Sequence, residues 1–284
     1  MNIIDAHHHL WDTHHLHYPL FDQVPALNRP FTLADFSVVA AANGVCQSIC
    51  IEAASAGADG LAETQWLLEQ APQNDLIAGL VVWAPLEQPN LRAYLDQVTA
   101  LGQGRIVGVR RSFEFESPDF AQRAEVIAGA QVIGEYGYPV DLVLFHHSLP
   151  AVIALVRACP EVQFVLDHLG KPGVRQGLHH PWEEQIAELA TLDNVACKIS
   201  GLTTEAEHNY WTPEALRPYT DHVIDSFGWE RVLFGSDWPV CELAGGYTRW
   251  LAALTWVVAD ADEVNQRKLF SENARRIYRL EQEA

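Results

Sequence analysis

The chain has 284 residues, of which 49% are apolar and 19% are charged, and its 37 acidic and 18 basic residues give a formal net charge of −19. This composition excludes an intrinsically disordered protein, because such chains are poor in apolar residues and rich in charge. The acidic balance also argues against nucleic acid and anionic membranes as partners, since both attract basic surfaces. We therefore expect a globular protein that binds neither nucleic acid nor anionic membranes, and the charge by itself does not indicate its small-molecule substrate.

The five cysteines are scattered along the chain and form no Cys-x-x-Cys pair. An odd number without paired spacing is typical of a reducing compartment rather than of a disulfide framework or a zinc knuckle. The first residues carry no basic region and no long apolar run, so we expect no signal peptide. The sequence has no run of about 18 apolar residues, so we expect no transmembrane helix. We expect a cytoplasmic protein.

Eight short, apolar, β-branched runs recur along the chain. They cover residues 3–5, 45–51, 77–83, 106–109, 140–145, 163–166, 195–199 and 232–234. Their C-terminal ends are about 33 residues apart on average, which is the size of one βα unit. The runs are apolar throughout rather than alternating, as expected for parallel strands that are buried on both faces.

The stretches between these runs have the apolar spacing of helices. Thr32 precedes the first stretch as a candidate N-cap, with Asp35 three residues later, and Asn43 and Gly44 end that helix. The later helical stretches cover residues 59–71, 91–101, 120–136, 151–158, 182–192, 214–227, 247–258 and 262–280. The chain is therefore predicted to alternate strands with helices and to end in a helix.

This alternation predicts a (β/α)8 TIM barrel, one domain over residues 1–284 with a C-terminal helix. A doubly wound open sheet is the competing fold, but no glycine-rich phosphate-binding sequence follows the first run. One long connection, residues 10–30, is expected to lie over the mouth of the barrel.

In such a barrel the active site forms at the C-terminal ends of the strands, and histidines are concentrated at the first of these ends. Side chains alternate along a strand, so His7 and His9 share a face and are expected to point into the barrel mouth, with His8 toward the helices. Two imidazoles on one rim can bind a divalent metal such as zinc. The alternative, solvent-exposed histidines, is the better interpretation for the three histidines of the long connection.

Two further strand ends carry candidate catalytic residues. Asp237 follows the eighth run, where a carboxylate could bind a metal or take a proton from water. A helix-capping role is the alternative, but the next predicted helix begins only at residue 247. His168 follows the sixth run and could polarise a carbonyl or bind a metal, unless it is a buried histidine held by Asp167.

The remaining strand ends carry candidate substrate-binding residues. Arg110 and Arg111 follow the fourth run, and alternation lets one of them point inward to hold a carboxylate or hydroxyl groups. Pairing with helix acids is the alternative for these arginines. Weaker candidates at the other strand ends, together with tryptophans that could stack on a ring, are Glu52, His146, Lys198, Trp83, Trp211 and Trp238.

Three motifs, each at a predicted strand end, together resemble the amidohydrolase superfamily. They are Asp5-x-His7-x-His9-Leu10-Trp11, Asp167-His168-Leu169-Gly170-Lys171-Pro172 and Gly235-Ser236-Asp237-Trp238-Pro239. The sequence is most similar to the metal-dependent TIM-barrel hydrolases that include fuconolactonase-type and rhamnonolactonase-type sugar-lactone hydrolases and pyrone-dicarboxylate lactonase. The resemblance, which runs from residue 3 to about residue 278, implies that His7, His9, His168 and Asp237 form the reaction centre.

The resemblance also bears on the cofactor. Many superfamily members hold two metals bridged by a carbamylated lysine after strand four, but strand four here ends in Val109-Arg110-Arg111 without a lysine. The expected cofactor is therefore one divalent metal, zinc, held by His7, His9 and Asp237, and the branch also includes lactonases that act without metal. Glu52 stands where glutamine is common in this branch, which would alter substrate contacts.

We therefore expect hydrolysis of a cyclic ester, a sugar lactone such as L-fuconolactone, with Asp237 activating the water and the histidines polarising the carbonyl. Two alternatives remain. A non-oxidative decarboxylase of an aromatic or unsaturated acid on the same barrel would release CO2 and depend strictly on metal. A non-catalytic sugar-acid binding protein would bind its ligand without turnover.

Overall fold

The computed structural model describes residues 2–53 and 59–280. Eight parallel strands pair in chain order. They are β1 (Ile3–His9), β2 (Val45–Ile51), β3 (Ile77–Trp83), β4 (Ile106–Ser112), β5 (Val140–Val143), β6 (Phe164–Leu166), β7 (Val195–Ile199) and β8 (Val232–Phe234). Beyond β8, the Asp237 amide donates to the His7 carbonyl (2.8 Å) and the His9 amide donates to the Trp238 carbonyl (2.7 Å). These bonds join the end of the eighth strand region to the first strand and confirm the predicted (β/α)8 barrel.

Helices lie between the strands and after the last of them. They are α1 (Leu33–Ala42), α2 (Gly60–Gln70), α3 (Leu91–Gly102), α4 (Ala124–Glu135), α5 (Leu149–Ala158), α6 (Trp182–Ala190), α7 (Leu202–Glu205), α8 (Pro213–Phe227), α9 (Gly246–Val257), α10 (Glu263–Arg267) and α11 (Asn273–Ile277). The predicted start of α1 is confirmed, because the Thr32 hydroxyl accepts from the Asp35 amide and the Asp35 carboxylate accepts from the Thr32 amide. In the described part of the chain, no helix has the length and apolar character needed to cross a membrane.

The structure corrects several predicted boundaries. β1 extends to His9 and β4 extends to Ser112, because their polar residues continue the strand pairing instead of ending it. β5 ends at Val143, two residues early. The helix predicted over 120–136 is interrupted by the extended backbone of Arg123. The predicted C-terminal helix contains a π turn (Lys268–Glu272) between α10 and α11.

The barrel is filled by an apolar cluster separate from the one that packs the helices on the strands. Strand residues of this inner cluster include Ile4, Ala6, Ile49 and Leu233, and the C-terminal segment adds Ala274, Ile277, Tyr278 and Leu280. Asn273 donates hydrogen bonds to the carbonyls of Trp229 and Val232, at the start of β8. The C-terminal segment therefore closes the barrel at the N-terminal ends of its strands, opposite the mouth.

An irregularity in β1 decides the direction of its histidines. Asp5 pairs with Ser48 and His8 pairs with Cys50, so three residues of β1 span the same distance as two residues of β2. β1 therefore carries one extra residue at this point. Ala6 belongs to the inner cluster, and strict alternation from it would turn His8 inward. With the extra residue, His8 instead stacks on Phe36 of α1 with ring centroids 3.8 Å apart.

Candidate active site

Three histidines and an aspartate meet at the mouth of the barrel. His7 and His9 lie at the end of β1, His168 follows β6 and Asp237 follows β8, and none of the four is more than 5% exposed. His168 and Asp237 have left-handed backbone angles, with φ of 54° and 59°. This conformation is unfavourable for residues other than glycine and persists only where the surrounding structure holds it. The fold therefore holds both side chains in place against local backbone preference.

Each histidine is oriented by a contact at Nδ1. These contacts join His7 to Asp167 Oδ1 (3.2 Å), His9 to the Ile51 carbonyl oxygen (3.0 Å) and His168 to Ser200 Oγ (2.8 Å). The Asp167 carboxylate and the Ile51 carbonyl can only accept, so they assign the ring protons of His7 and His9 to Nδ1 and leave a lone pair on each Nε2. The Ser200 hydroxyl can donate or accept, and when it accepts from His168 Nδ1 the third ring offers Nε2 in the same way.

The three Nε2 atoms surround one carboxylate oxygen. Asp237 Oδ1 lies 3.8 Å from Nε2 of His7, 3.5 Å from that of His9 and 3.8 Å from that of His168. The Nε2 atoms of His7 and His9 are 3.1 Å apart. With the ring protons on Nδ1, these atoms present lone pairs to one another and no hydrogen. The repulsion between these lone pairs is relieved only when a cation, either a metal ion or added protons, lies among them.

Burial and the neighbouring side chains together set the protonation states in this cluster. Burial lowers the pKa of His7 well below its ordinary value, and it lowers the pKa of His168 to about 4. Burial opposes ionisation of Asp237, but the surrounding imidazoles of His168, His9 and His7 outweigh it and hold the pKa of this carboxyl below its ordinary value. At neutral pH His7 and His168 are therefore neutral imidazoles and Asp237 is a carboxylate, which are the forms that bind a divalent metal.

The donor set fits one metal ion. His7, His168 and Asp237 each offer a ligand atom, and these atoms lie within 4.8 Å of one another. Ligands about 2.0–2.1 Å from a tetrahedral zinc ion lie roughly 3.3 Å apart, close to the spacing of the Nε2 and Oδ1 atoms here. His9 Nε2 lies beside this group, 3.1 Å from His7 Nε2 and 3.5 Å from Asp237 Oδ1, so the structure places His168 next to the predicted ligands His7, His9 and Asp237.

Arg110, and not Arg111, faces the cluster. Its Nε donates to Glu52 Oε1 (2.6 Å) and its Nη1 donates to Asp167 Oδ2 (3.1 Å), and these three side chains are almost completely buried. Arg111 turns outward and pairs with Glu87 and Glu116. Arg110 therefore enters the site already paired with two carboxylates.

A second buried ion pair lies beneath the cluster. Lys198 Nζ is 2.5 Å from Asp141 Oδ2, 3.0 Å from Asp167 Oδ1 and 3.3 Å from His7 Nδ1. The Tyr278 hydroxyl contacts both Asp141 oxygens at 2.8 Å. Lys198 was a predicted candidate, whereas Asp141 and Tyr278 were not predicted. The available signal was an aspartate inside an otherwise apolar strand run.

A cavity of about 200 Å³ opens beside the cluster and is lined by His9, Arg110, His168 and Asp237, among others. The long connection between β1 and α1 covers it, as expected, with the apolar side chains of Trp11, Leu20, Phe21, Val24 and Leu27. Two further charged residues line it, Lys171 and Glu114. Neither residue was predicted to have a role at the site, because neither lies at a predicted strand end, although Lys171 belongs to one of the three motifs.

The other predicted substrate-binding residues lie outside the lining of this cavity. Glu52 and Trp83 line a neighbouring cavity of about 500 Å³. Trp238 packs against Phe36, with ring centroids 5.3 Å apart. His146 begins a short 3-10 turn and is half-buried. Contact of these residues with substrate stays a prediction.

Comparison with known proteins gives consistent matches over nearly the whole chain. A family model described as amidohydrolase matches residues 4–280. L-fucono-1,5-lactonase of Burkholderia multivorans is 30% identical over 99% of this chain and 97% of its own length. That of Burkholderia ambifaria is 29% identical over 98% of this chain and 96% of its own.

A solved structure shows the same similarity in three dimensions. The crystal structure of an amidohydrolase from Burkholderia multivorans with bound Zn has a TM-score of 0.91 and 29% identity, covering 99% of this chain and 100% of that one. The family match over residues 4–280 spans the strands of the barrel and the cluster at its mouth. The chain belongs to the amidohydrolase family.

Proposed function

We propose that this protein hydrolyses a sugar lactone, such as L-fucono-1,5-lactone, to the open sugar acid, with Asp237 as the general base. The observation that carries the proposal is the Asp237 carboxylate facing three imidazole Nε2 atoms at the wall of a small, covered cavity. Two relatives of about 30% identity over almost their full length, both L-fucono-1,5-lactonases, support this substrate class.

In this mechanism a water molecule next to Asp237 attacks the carbonyl carbon of the lactone. The Asp237 carboxylate accepts one proton from that water as the new C–O bond forms. The bond between the carbonyl carbon and the ring oxygen then breaks, and the ring oxygen takes the proton back from Asp237. The left-handed backbone of Asp237 and the neighbouring rings hold the carboxylate in position for both transfers.

Nearby groups stabilise the negative charge that develops on the carbonyl oxygen. Arg110 carries a positive charge at the cavity wall, with its Nη1 3.5 Å from His7 Nε2. Donors fixed before the reaction are effective, because they need no reorganisation in the transition state. A divalent ion held by His7, His9, His168 and Asp237 would supply Lewis-acid polarisation of the same oxygen. We propose zinc as this ion, since a zinc-bound structure is among the most similar solved structures.

The test compares the wild-type protein with Asp237→Asn on a panel of sugar lactones, with acid release followed by a pH indicator. We expect the variant to lose about 10²–10⁴-fold in kcat, the usual contribution of a general base. Metal content is measured on both proteins, so that loss of the base can be separated from loss of an ion.

Asp260→Asn, at an exposed position outside the barrel mouth, is the matched control and should behave as wild type. Unchanged turnover by Asp237→Asn would remove Asp237 from the mechanism. Release of CO2 from an aromatic or unsaturated acid, without lactone hydrolysis, would favour the decarboxylase. Binding of a sugar acid without any turnover would favour the non-catalytic alternative.

A further inference from the structure

A charged group outside the histidine cluster lines the same cavity. The Lys171 ammonium donates to Glu114 Oε1 and lies 3.8 Å from Glu205 Oε1. The side chains of Lys171 and Glu114 are 18% and 15% exposed, so the pair is largely withdrawn from bulk water but open to the cavity. Neither residue has a part in the proton transfers of the proposed mechanism.

The backbone at Lys171 is strained like that of the reaction centre. Its φ is 48°, and the preceding His168 and Leu169 have φ of 54° and 55°. Lysine gains nothing locally from the left-handed region, which is sterically unfavourable for a residue with a Cβ atom. Strain of this kind is concentrated at functional sites, where it sets the direction of a side chain. The turn after β6 thus aims Lys171 as well as His168.

The charges around the cavity leave no cation for an anionic ligand among the described residues. Arg110 is paired with Glu52 and Asp167, and Lys171 is paired with Glu114. Lys198 is paired with Asp141 and Asp167. Three cations therefore stand against the six carboxyl groups of Glu52, Glu114, Asp141, Asp167, Glu205 and Asp237. A divalent ion at the histidine cluster would offset two of these charges and still leave no net positive charge for a substrate carboxylate.

The pair retains hydrogen-bonding capacity suited to neutral hydroxyl groups. An ammonium has three donors, and Lys171 uses one of them on Glu114, while a carboxylate has about four acceptor sites. Adjacent hydroxyls of one sugar can donate to Glu114 and accept from Lys171 at the same time. A cavity of about 200 Å³ is smaller than the roughly 300–1,000 Å³ of drug-sized sites, as a single small ring requires.

We propose that Lys171 and Glu114, with Glu205 beside them, bind the hydroxyl groups of a neutral polyhydroxy lactone and exclude lactones that carry a carboxylate. This inference rests on the proposed lactone hydrolysis and adds the charge class of the substrate and the residues that select it. Glu114 is the selective element, because it occupies the ammonium that a substrate carboxylate would need.

The experiment measures kcat and KM for a neutral aldonolactone and for an aldarolactone, which has the same kind of ring with an added carboxylate. We expect wild type to prefer the neutral lactone at least about 10-fold in kcat/KM. In Glu114→Gln, KM for the neutral lactone should rise about 10-fold, since a hydrogen bond to a charged group is lost. The aldarolactone should gain about 10-fold in kcat/KM, because Lys171 is then free to bind it.

Two further variants keep the test decisive if Glu114→Gln folds poorly. Lys171→Arg keeps the charge and should retain most of the preference, whereas Lys171→Gln should raise KM for the neutral lactone without helping the aldarolactone. Glu230→Gln is the matched control, because Glu230 forms an ion pair with Lys268 at the opposite end of the barrel, and its preference should equal that of wild type.

An unchanged preference in both Glu114→Gln and Lys171→Gln, with hydrolysis intact, would overturn this inference and leave the proposed function standing. A wild type that prefers the aldarolactone would overturn it as well. Failure of the wild type to hydrolyse either lactone would overturn the proposed function, and the inference with it.

Discussion

Two glycines let the backbone pass close to the histidines of the cluster. A Cβ atom on Gly201 would lie 2.6 Å from His168 Nδ1, and one on Gly235 would lie 2.7 Å from the His7 Cβ. Gly201 also has φ of 65°, which a residue with a Cβ atom adopts only with strain. The position of the His168 ring, and so of its Nε2, depends on the missing side chain at Gly201.

We predict that Gly201→Ala lowers kcat/KM by about 100-fold. The added methyl group would displace the His168 ring, and a misplacement of about 1 Å at a reacting group can cost this much. The variant should also lose about 1–2 kcal/mol of unfolding free energy through backbone strain. Lactone turnover and urea unfolding measure the two effects separately.

Gly44→Ala separates the effect of backbone strain from the effect of displacing the His168 ring. Gly44 has a similar φ of 71°, and a Cβ atom there would have no neighbour within 4 Å. This variant should lose comparable stability and keep wild-type turnover. Equal activity of the two variants would show that the position of His168 does not depend on Gly201.

At the scale of elements, the C-terminal segment connects to the reaction centre. Tyr278, which follows α11, reaches up inside the barrel and contacts both oxygens of Asp141 on β5. Asp141 pairs with Lys198 on β7, and Lys198 contacts the Asp167 carboxylate that orients His7. The segment that closes one end of the barrel is therefore joined by buried polar contacts to the cluster at the other end.

We predict that Tyr278→Phe lowers the unfolding free energy by about 1–3 kcal/mol, because it leaves a buried carboxylate without its hydroxyl donor. It should also lower kcat and leave KM unchanged, since Tyr278 acts on His7 through Asp141 and Lys198 and touches no substrate. Chemical denaturation and steady-state kinetics measure these effects.

Tyr210→Phe, at a tyrosine that is 83% exposed, is the matched control and should change neither quantity. If Tyr278→Phe leaves both stability and kcat at wild-type values, the hydroxyl contributes nothing to orienting His7. If stability falls and kcat does not, the contact is purely structural.

At the scale of the whole molecule, the candidate metal ligands come from distant parts of the chain. His7, His168 and Asp237 belong to the ends of three strands, so an unfolded chain does not hold them together. An ion that binds only the folded state stabilises it by an amount set by its concentration relative to Kd, about 2.7 kcal/mol at 100 times Kd. Metal binding should therefore be visible as thermal stability, independently of catalysis.

We predict that saturating zinc raises Tm of the chelated protein by roughly 5–10 °C, since each kcal/mol shifts Tm by roughly 2–4 °C in a chain of this size class. Differential scanning calorimetry with and without zinc measures the shift. Activity before and after chelation then shows whether turnover needs the ion.

His9→Ala should lose most of this zinc-dependent shift. His15→Ala, which removes an exposed histidine of the neighbouring long connection, should keep it. An equal shift in wild type and in His9→Ala would place the zinc somewhere other than at the histidine cluster.

Much of the fold was predictable from local pattern. Four of the eight strand runs, among them 45–51 and 77–83, match the strands of the structure in both boundaries. An apolar β-branched run bounded by turn residues seldom forms any other secondary structure. The ends of β1 and β4 were predicted too early, because polar residues continue these strands, whereas β5 ends two residues before its apolar run does. A prediction from residue propensity ends the strand at the first polar residue, whereas the strand actually ends where its pairing with the neighbouring strand ends.

The candidate site was predictable in its members but not in its arrangement. The motifs named His7, His9, His168 and Asp237, and the barrel rule placed them at one mouth. Lys171 and Glu114 were missed because their pairing spans 57 residues of chain. A contact at that separation depends on how loops pack and has no local signature.

The sequence by itself determined the succession of strands and helices, and it determined that His7 and His9 share a face, because both follow from the period of the backbone. The barrel rule also predicted that this face is the inner one, but only the tertiary structure shows how the strand turns it inward. The extra residue of β1 against β2 reverses the direction that alternation from Ala6 would have given. The charges of the site were decided in the same way, since Arg110 is neutralised by Glu52 and Asp167 from other strands. Periodicity is a property of each segment, whereas register and ion pairing arise only when segments meet.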